Sequence, residues 1–224
     1  MKNIYETIKE RHSVRIYNDK EIEKEKIDFL NNLIDECNKE GNLNMQLILN
    51  DAETFDKYIL HYGKLKNAKN YIALIGKKDD NRLEEKCGYF GEKIVLEAKE
   101  MGLNTCWVAG SYKKGLVKAK LNDGETVVCI IAIGYSDTNG NPHKLKSFND
   151  VSVSKDVPDW YKKGVEYALL APTAINQQSF KFKLEDENTV SLKAGFGPYV
   201  KIDKGIVKYH FELGAGIDIF KWKE

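Results

Sequence analysis

The chain has 224 residues, 42% hydrophobic and 31% charged, which is enough apolar material for a folded core and excludes wholesale disorder. The 35 Lys and Arg against 34 Asp and Glu leave a net charge of +1, without the basic excess that non-specific nucleic-acid binding needs. No apolar run approaches the roughly 20 residues of a bilayer span, and the charged MKNIYETIKERHSVR lacks the apolar stretch of a secretion signal, so the expectation is a cytoplasmic protein with no membrane partner.

Residues 4–12 read as a short helix, and RHSVRIYND as a turn or extended arm after it. Residues 21–39 form an amphipathic helix, with Ile27, Leu30, Ile34 and Cys37 at spacings of three and four, stopped by Gly41-Asn42. Met45–Leu49 and Tyr71–Ile75 read as strands, and 88–101 as a helix ending at Gly102. TCWVAG and VVCIIAIGY follow as strands, the second apolar at consecutive positions, as in a central strand covered on both faces. From Ser136 to about Pro158 the chain is polar and loop-like. Helix 160–171 leads through PTAINQQ into the strands SFKFKLE and VSLKAG, and helix 203–216 precedes the final IDIFKWKE. The expected class is mixed α+β, with helices too few and irregular for a doubly wound sheet.

A repeat is visible in this order. A helix then EGNLNMQ is matched by a helix then PTAINQQ, with Asn44/Asn176 and Gln46/Gln178 at one offset, 176 − 44 = 178 − 46 = 132. Gly91 and Gly102 match Gly205 and Gly216, with 205 − 91 = 216 − 102 = 114. The reading is an unequal internal duplication whose second copy lacks a counterpart of VVCIIAIGY.

Cys37, Cys87, Cys106 and Cys129 lie far apart with no CxxC pair and no HExxH, so reduced, buried thiols are expected and no metal. Arg11-His12-Ser13-Val14-Arg15 sets two guanidinium forks around a hydroxyl, a donor set for one anion, or else a solvated charged turn. Lys144-Leu145-Lys146 gains meaning only beside that anion; alone it is surface charge. Pro172–Gln178, at a helix–strand junction, offers backbone groups and amides to the polar edge of a flat heterocycle, or is a capped helix end with solvated glutamines. No GxGxxG or GxxxxGK[ST] phosphate loop and no GxSxG elbow occurs, which argues against Rossmann, P-loop and serine-hydrolase chemistry.

Together these residues resemble the nitroreductase family of FMN-dependent oxidoreductases, over nearly the whole chain. RHSVRIYND is similar to its R-[RH]-S-x-[RK]-x-[FY] segment, and APTAINQQSF to its AP-S-x-x-N-x-Q-P-W junction. GEKIVLEAKEMGLNTCWVAG resembles its long helix followed by GLGTCW, and VVCIIAIGY with HKLKSFNDV its late strand and basic tail. The family is ordinarily a homodimer with two FMN sites built from both subunits. Here RHSVR, WVAG and KLK fall in the first half and the intact junction in the second. The resemblance is therefore to a fused, unequal dimer with one complete site, as in the compact single-chain branch of Thermotoga type.

The resemblance implies one nitroreductase-like domain over 1–224, with pseudo-repeat halves of about 1–150 and 151–224, a central mixed or antiparallel sheet flanked by helices, and a monomer. It places Arg11, Ser13, Lys144 and Lys146 on the FMN phosphate and ribityl chain, with His12 contributing mainly backbone contacts. Arg15 is the catalytic charge beside the flavin. Pro172, Thr173, Ala174 and Asn176 line its ring, and Ala109 and Gly110 bring backbone N–H groups to it, whereas Gln178 is structural. The implied activity passes electrons from NADH or NADPH through FMN to a small-molecule acceptor, a nitroaromatic or quinone; the alternative is an FMN-binding module without turnover. Ser179-Phe180 stands where the family has Pro-Trp, Ala109-Gly110 where it has Glu-Gly, and the short 77–87 stretch leaves no lid helices.

Overall fold

The computed structural model describes residues 4–55 and 65–223. Among the described residues six α-helices and seven strands follow one another as α1 (Ile4–Glu10), α2 (Lys24–Gly41), β1 (Gln46–Ile48), β2 (Tyr71–Lys77), α3 (Leu83–Glu100), β3 (Asn104–Val108), β4 (Glu125–Gly134), α4 (Phe148–Val151), α5 (Asp159–Leu169), β5 (Phe180–Leu184), β6 (Thr189–Ala194), α6 (Val200–Ala215) and β7 (Lys221–Trp222). The chain divides into two compact units: Glu10–Leu83 with Lys93–Asn141, and Met1–Lys9 with Glu84–Glu92 and Pro142–Glu224. None of the described helices is long and apolar enough to cross a membrane.

The Glu10–Leu83 unit holds a four-stranded antiparallel sheet in the order β1-β2-β4-β3. The continuous apolar runs of β2 and β4 occupy its two inner positions, where both faces are covered. Tyr71, Ala73, Ile75, Cys106, Val108, Val127, Ile130 and Ala132 pack into one core with Tyr17 and Ala68. Helix α2 buries Leu30, Leu33, Ile34 and Cys37, and stops where Asn42 turns left-handed (φ 52°) and donates its N–H to Asn38 O.

The Pro142–Glu224 unit holds a sheet β5-β6-β7, antiparallel between β5 and β6 and parallel between β6 and β7. Its core is aromatic. Phe182 stacks on Phe211 at 4.7 Å, and Tyr161, Phe220 and Trp222 surround Phe211 at 5.2–5.7 Å between ring centroids. Gly164 on α5 admits that ring, since a Cβ there would come within 2.7 Å of it.

Three boundaries differ from the sequence reading. Helix α3 begins at Leu83, five residues before the expected start, because Leu83 and Cys87 extend the buried stripe and Glu84 and Glu85 suit a first turn. The polar stretch after Ser136 contains α4, nucleated by a capping box between Ser147 and Asp150. Helix α6 starts at Val200, directly after the left-handed Tyr199 (φ 57°). The four cysteines are all buried, as expected of thiols in apolar stretches.

Candidate functional site

In the Glu10–Leu83 unit the arm is fixed along its backbone. Ser13 bridges Thr105 in parallel, Val14 N–H donates to Thr105 O (3.0 Å), Lys66 N–H to Arg15 O (2.8 Å) and Tyr17 N–H to Lys66 O (3.0 Å). Val14 and Tyr17 are buried and anchor the arm, the Tyr17 hydroxyl donating to Ala132 O at 3.3 Å. Behind it lies Gly140, left-handed at φ +73°, where a Cβ would come within 3.0 Å of His12 Cβ and of Ser13 O. Of the cationic pair Arg11 is 4% exposed, unlike a solvated turn. Ser13 hydrogen-bonds the Cys106 thiol, and the charges of the buried Arg11 and the exposed Arg15 are felt there. Burial pushes that thiol up, while Arg15, Arg11 and the Ser13 hydrogen bond oppose the shift. Strand β3 runs on from Cys106 into Ala109-Gly110, so these two lie just beyond the strand that carries the arm.

In the Pro142–Glu224 unit the basic pair and the junction meet directly. Asn176 Nδ2 and Gln178 Nε2 both donate to Lys144 O (2.9 and 2.8 Å), and Gln178 Oε1 accepts from Lys146 N–H (2.9 Å). Gln178 Nε2 also donates to Asn176 Oδ1 at 2.9 Å, and Lys146 Nζ braces the carbonyls of Gln177 and Gln178. Gln178, only 3% exposed, is thus structural. Thr173 Oγ1 accepts from Gln178 N–H (3.0 Å), and His143 Nε2 lies 3.1 Å from Leu169 O.

The backbone of this junction is strained. Ile175 (φ 48°), Asn176 (φ 55°) and Gln178 (φ 43°) are all left-handed, and Ile175 is β-branched and 65% exposed. Left-handed backbone at such a residue costs roughly 1–2 kcal/mol, and Ile175 loses little contact if removed. Ile175→Gly therefore stabilises the fold by about 0.5–1 kcal/mol, a net of relieved strain and glycine entropy, read by urea denaturation. A destabilised variant would contradict the strain.

The other copy of the Asn-x-Gln pattern makes a similar set of bonds in its own unit, there to the C=O and N–H of a single residue, Lys120. Asn44 Nδ2 and Gln46 Nε2 both donate to Lys120 O (3.1 and 2.6 Å), Gln46 Oε1 accepts from Lys120 N–H (2.9 Å), and Gln46 Nε2 reaches Asn44 Oδ1 at 3.2 Å. Gly102 (φ 78°) and Gly216 (φ 86°), matched in sequence, each follow the last turn of their helix in positive-φ backbone.

Two features escaped the sequence reading. Asp203, in the first turn of α6, accepts from Ala174 N–H and Gln177 Nε2 and is buried. Cys106 lies among the arm's donors. The only sequence signals were an acid just beyond GFGPY and the cysteine of the GLNTCW block.

The family model described as "Putative TM nitroreductase" matches residues 3–215. The chain belongs to this nitroreductase family. A nitroreductase-family fold is also found by comparison with solved structures. A putative nitroreductase of Thermotoga maritima is 25% identical, with a TM-score of 0.64 over 95% of this chain and 83% of that one. An FMN-dependent nitroreductase of Clostridium difficile is 26% identical, with a TM-score of 0.50 over 65% of this chain and 92% of that one. A putative NADH oxidase of Clostridium acetobutylicum is 25% identical, with a TM-score of 0.51 over 66% and 99%. No curated protein matches the sequence. Membership of the nitroreductase family supports an oxidoreductase activity for the chain.

Proposed function

We propose that the chain is an FMN-dependent oxidoreductase that takes electrons from NADH or NADPH and delivers them to a small acceptor, a nitroaromatic or a quinone. The observation that carries this reading is the group formed by Arg11, Ser13 and Arg15, with Arg11 buried beside Cys106. Two guanidiniums and a hydroxyl on a fixed backbone suit a phosphate or another dense anion. The junction suits a flat polar ring, because Pro172, Thr173, Ala174 and Asn176 lie on a strained turn fixed by bonds to Asp203 and Lys144.

FMN would supply the redox chemistry, accepting a hydride from the nicotinamide and returning electrons to the acceptor. The chain's own part is binding and electrostatics. In the Glu10–Leu83 unit Arg11 and Ser13 offer donors to an anionic end and His12 contributes backbone; in the Pro142–Glu224 unit Lys144 offers a cation and Lys146 keeps the junction in place. Arg15 sets a fixed positive charge that favours an anionic reduced ring. Ala109 and Gly110 offer backbone N–H groups at the end of β3. The matching Asn44–Gln46 and Asn176–Gln178 clamps support an internal duplication, and with it a chain that works as a monomer. A cytoplasmic location goes with this reading.

A second reading, an FMN carrier without turnover, is favoured by the link between β2 and α3. Only residues 78–82 lie there, too few for a lid. Anaerobic mixing of the yellow protein with NADH or NADPH separates the two readings. Bleaching within seconds is expected of the enzyme. Flavin that stays oxidised with both donors leaves the carrier, and purified protein that neither carries nor takes up FMN sinks both.

A further inference from the structure

The carboxyl of Asp203 belongs to none of the motifs, yet the junction closes on it. It is 5% exposed and accepts Ala174 N–H at both oxygens (3.0 Å to Oδ1, 3.2 Å to Oδ2) and Gln177 Nε2 at Oδ2 (2.6 Å). The Gln177 amide also donates to Pro198 O at 2.8 Å. An amide NH2 has two protons, and both are used here. One ties the junction to α6; the other ties residues 195–199 to the junction. Gly197 makes room for this, since a Cβ there would come within 2.1 Å of Gln177 Oε1. On the far side Ser179 Oγ donates to Phe196 O (3.0 Å) and Gly195 N–H to Ser179 O (2.7 Å), holding a loop whose Phe196 is 98% exposed.

A carboxylate accepts at both oxygens, whereas a carboxylic acid turns one of them into a donor. A proton on Oδ2 would set an O–H against the N–H of Gln177. The amide can meet that donor only by turning Oε1 inward, which takes its NH2 off Pro198 O. We propose that Asp203 is the positioning residue of the flavin-lining turn, and that proton uptake by its carboxyl frees Gln177 from Pro198 and weakens the turn's grip on FMN. This rests on the flavin-binding reading above.

Burial pushes the Asp203 carboxyl up to about 6, and the bonds from Gln177 and Ala174 pull the other way, so the change falls between pH 5 and 7. The charged groups on the neighbouring elements are committed elsewhere. On α6, Lys201 pairs with Glu84 of α3 (3.4 Å), and Lys204 and Lys208 pair with Glu85 (2.7 and 3.5 Å). Lys146 Nζ lies on the carbonyls of Gln177 and Gln178 (2.9 and 3.0 Å).

The test is the FMN affinity of flavin-depleted protein from pH 5 to 8, for wild type and Asp203→Asn. The phosphate of FMN titrates near pH 6 by itself, so the ratio of the two Kd values is read. The expected ratio rises about tenfold between pH 7.5 and pH 5, because an acid of pKa about 6 is some nine-tenths protonated at pH 5. A ratio that stays constant overturns the proposal. NMR of the wild-type protein gives a second readout that needs neither flavin nor variant. The Gln177 side-chain NH2 and the Phe196 amide should titrate together with a midpoint near 6; if they do not move, the latch is absent. Tight FMN binding with no pH-dependent ratio removes the latch alone, whereas no FMN binding at pH 8 removes the flavin reading and the latch with it.

Discussion

Protein carrying both Arg11→Ala and Lys144→Ala purifies colourless and takes up FMN about a thousandfold more weakly than wild type. Each substitution removes a cation proposed for the anionic end of FMN, and a charge-assisted hydrogen bond contributes about 1.5–3 kcal/mol. Two such losses come to about 4 kcal/mol, or three decades of affinity. Arg11 is buried, so its removal also leaves a space in the fold. Arg11→Lys serves as the control, because it keeps the charge but loses the planar fork, and its affinity should lie between the two. A thermal melt of each flavin-free protein separates lost binding from lost fold. Full flavin occupancy in the double variant would refute the assignment of these residues.

Gly205→Ala unfolds the Pro142–Glu224 unit or weakens it by more than about 3 kcal/mol. Within that unit α6 crosses residues 84–92 of α3 backbone against backbone. A Cβ at Gly205 would stand 1.9 Å from Glu85 O and 2.7 Å from Tyr89 N, and one at Gly88 would stand 2.1 Å from Ile202 O. None of these atoms ends a flexible side chain, so relief requires the helices to part. Parting them also pulls on His210 and Glu92, both fully buried and 2.9 Å apart, with the other ring nitrogen of His210 3.1 Å from Tyr167 O. Leaving the partners of such a buried hydrogen bond unsatisfied typically costs about 1–3 kcal/mol more. Gly124→Ala is the contrast: its φ is +77° but nothing lies near its Cβ, and it should lose only about 1 kcal/mol. Chemical denaturation reads both. If Gly205→Ala falls within 1 kcal/mol of wild type, the close crossing is wrong.

Much of this was legible in the sequence because it depends on local pattern. The runs YIALI and VVCIIAIGY are apolar at every position, and only inner strands can hide both faces, so β2 and β4 took their places in the sheet from periodicity alone. The shared offset of Asn44/Asn176 and Gln46/Gln178 was visible in the sequence as a repeat, whereas the hydrogen bonds that each pair makes to a lysine backbone were not. Asp203 was not legible. An acid in a first helical turn reads as a partner of the helix dipole, and its burial is decided by a turn some 26–29 residues earlier in the chain. His210 and Glu92 are 118 residues apart, and neither belongs to a motif. The start of α3 was missed for a smaller reason: Leu83 and Cys87 sit beyond the polar KKDDNR run, which looks like a continuing loop.

Asp203 also bears on stability. Its carboxyl is held at about 6 against an ordinary value of 3.8, so the native state binds more protons than the unfolded chain between those values. Its contribution therefore becomes less favourable as pH rises from about 4 to 6, by about 3 kcal/mol in all. The fold carries this burden at neutral pH, together with the left-handed Ile175. Asp203 on α6 hydrogen-bonds the very turn that carries Ile175, and strain with a functional purpose is expected to cluster in this way.

The clamp of Asn176 and Gln178 on Lys144 closes on protein groups alone. The basic loop and the turn behind it are therefore ordered by the chain's own hydrogen bonds, and little configurational freedom is left for a ligand to remove on arrival. Under the proposed function, recognition at this junction is closer to a key entering a cut lock than to a hand closing.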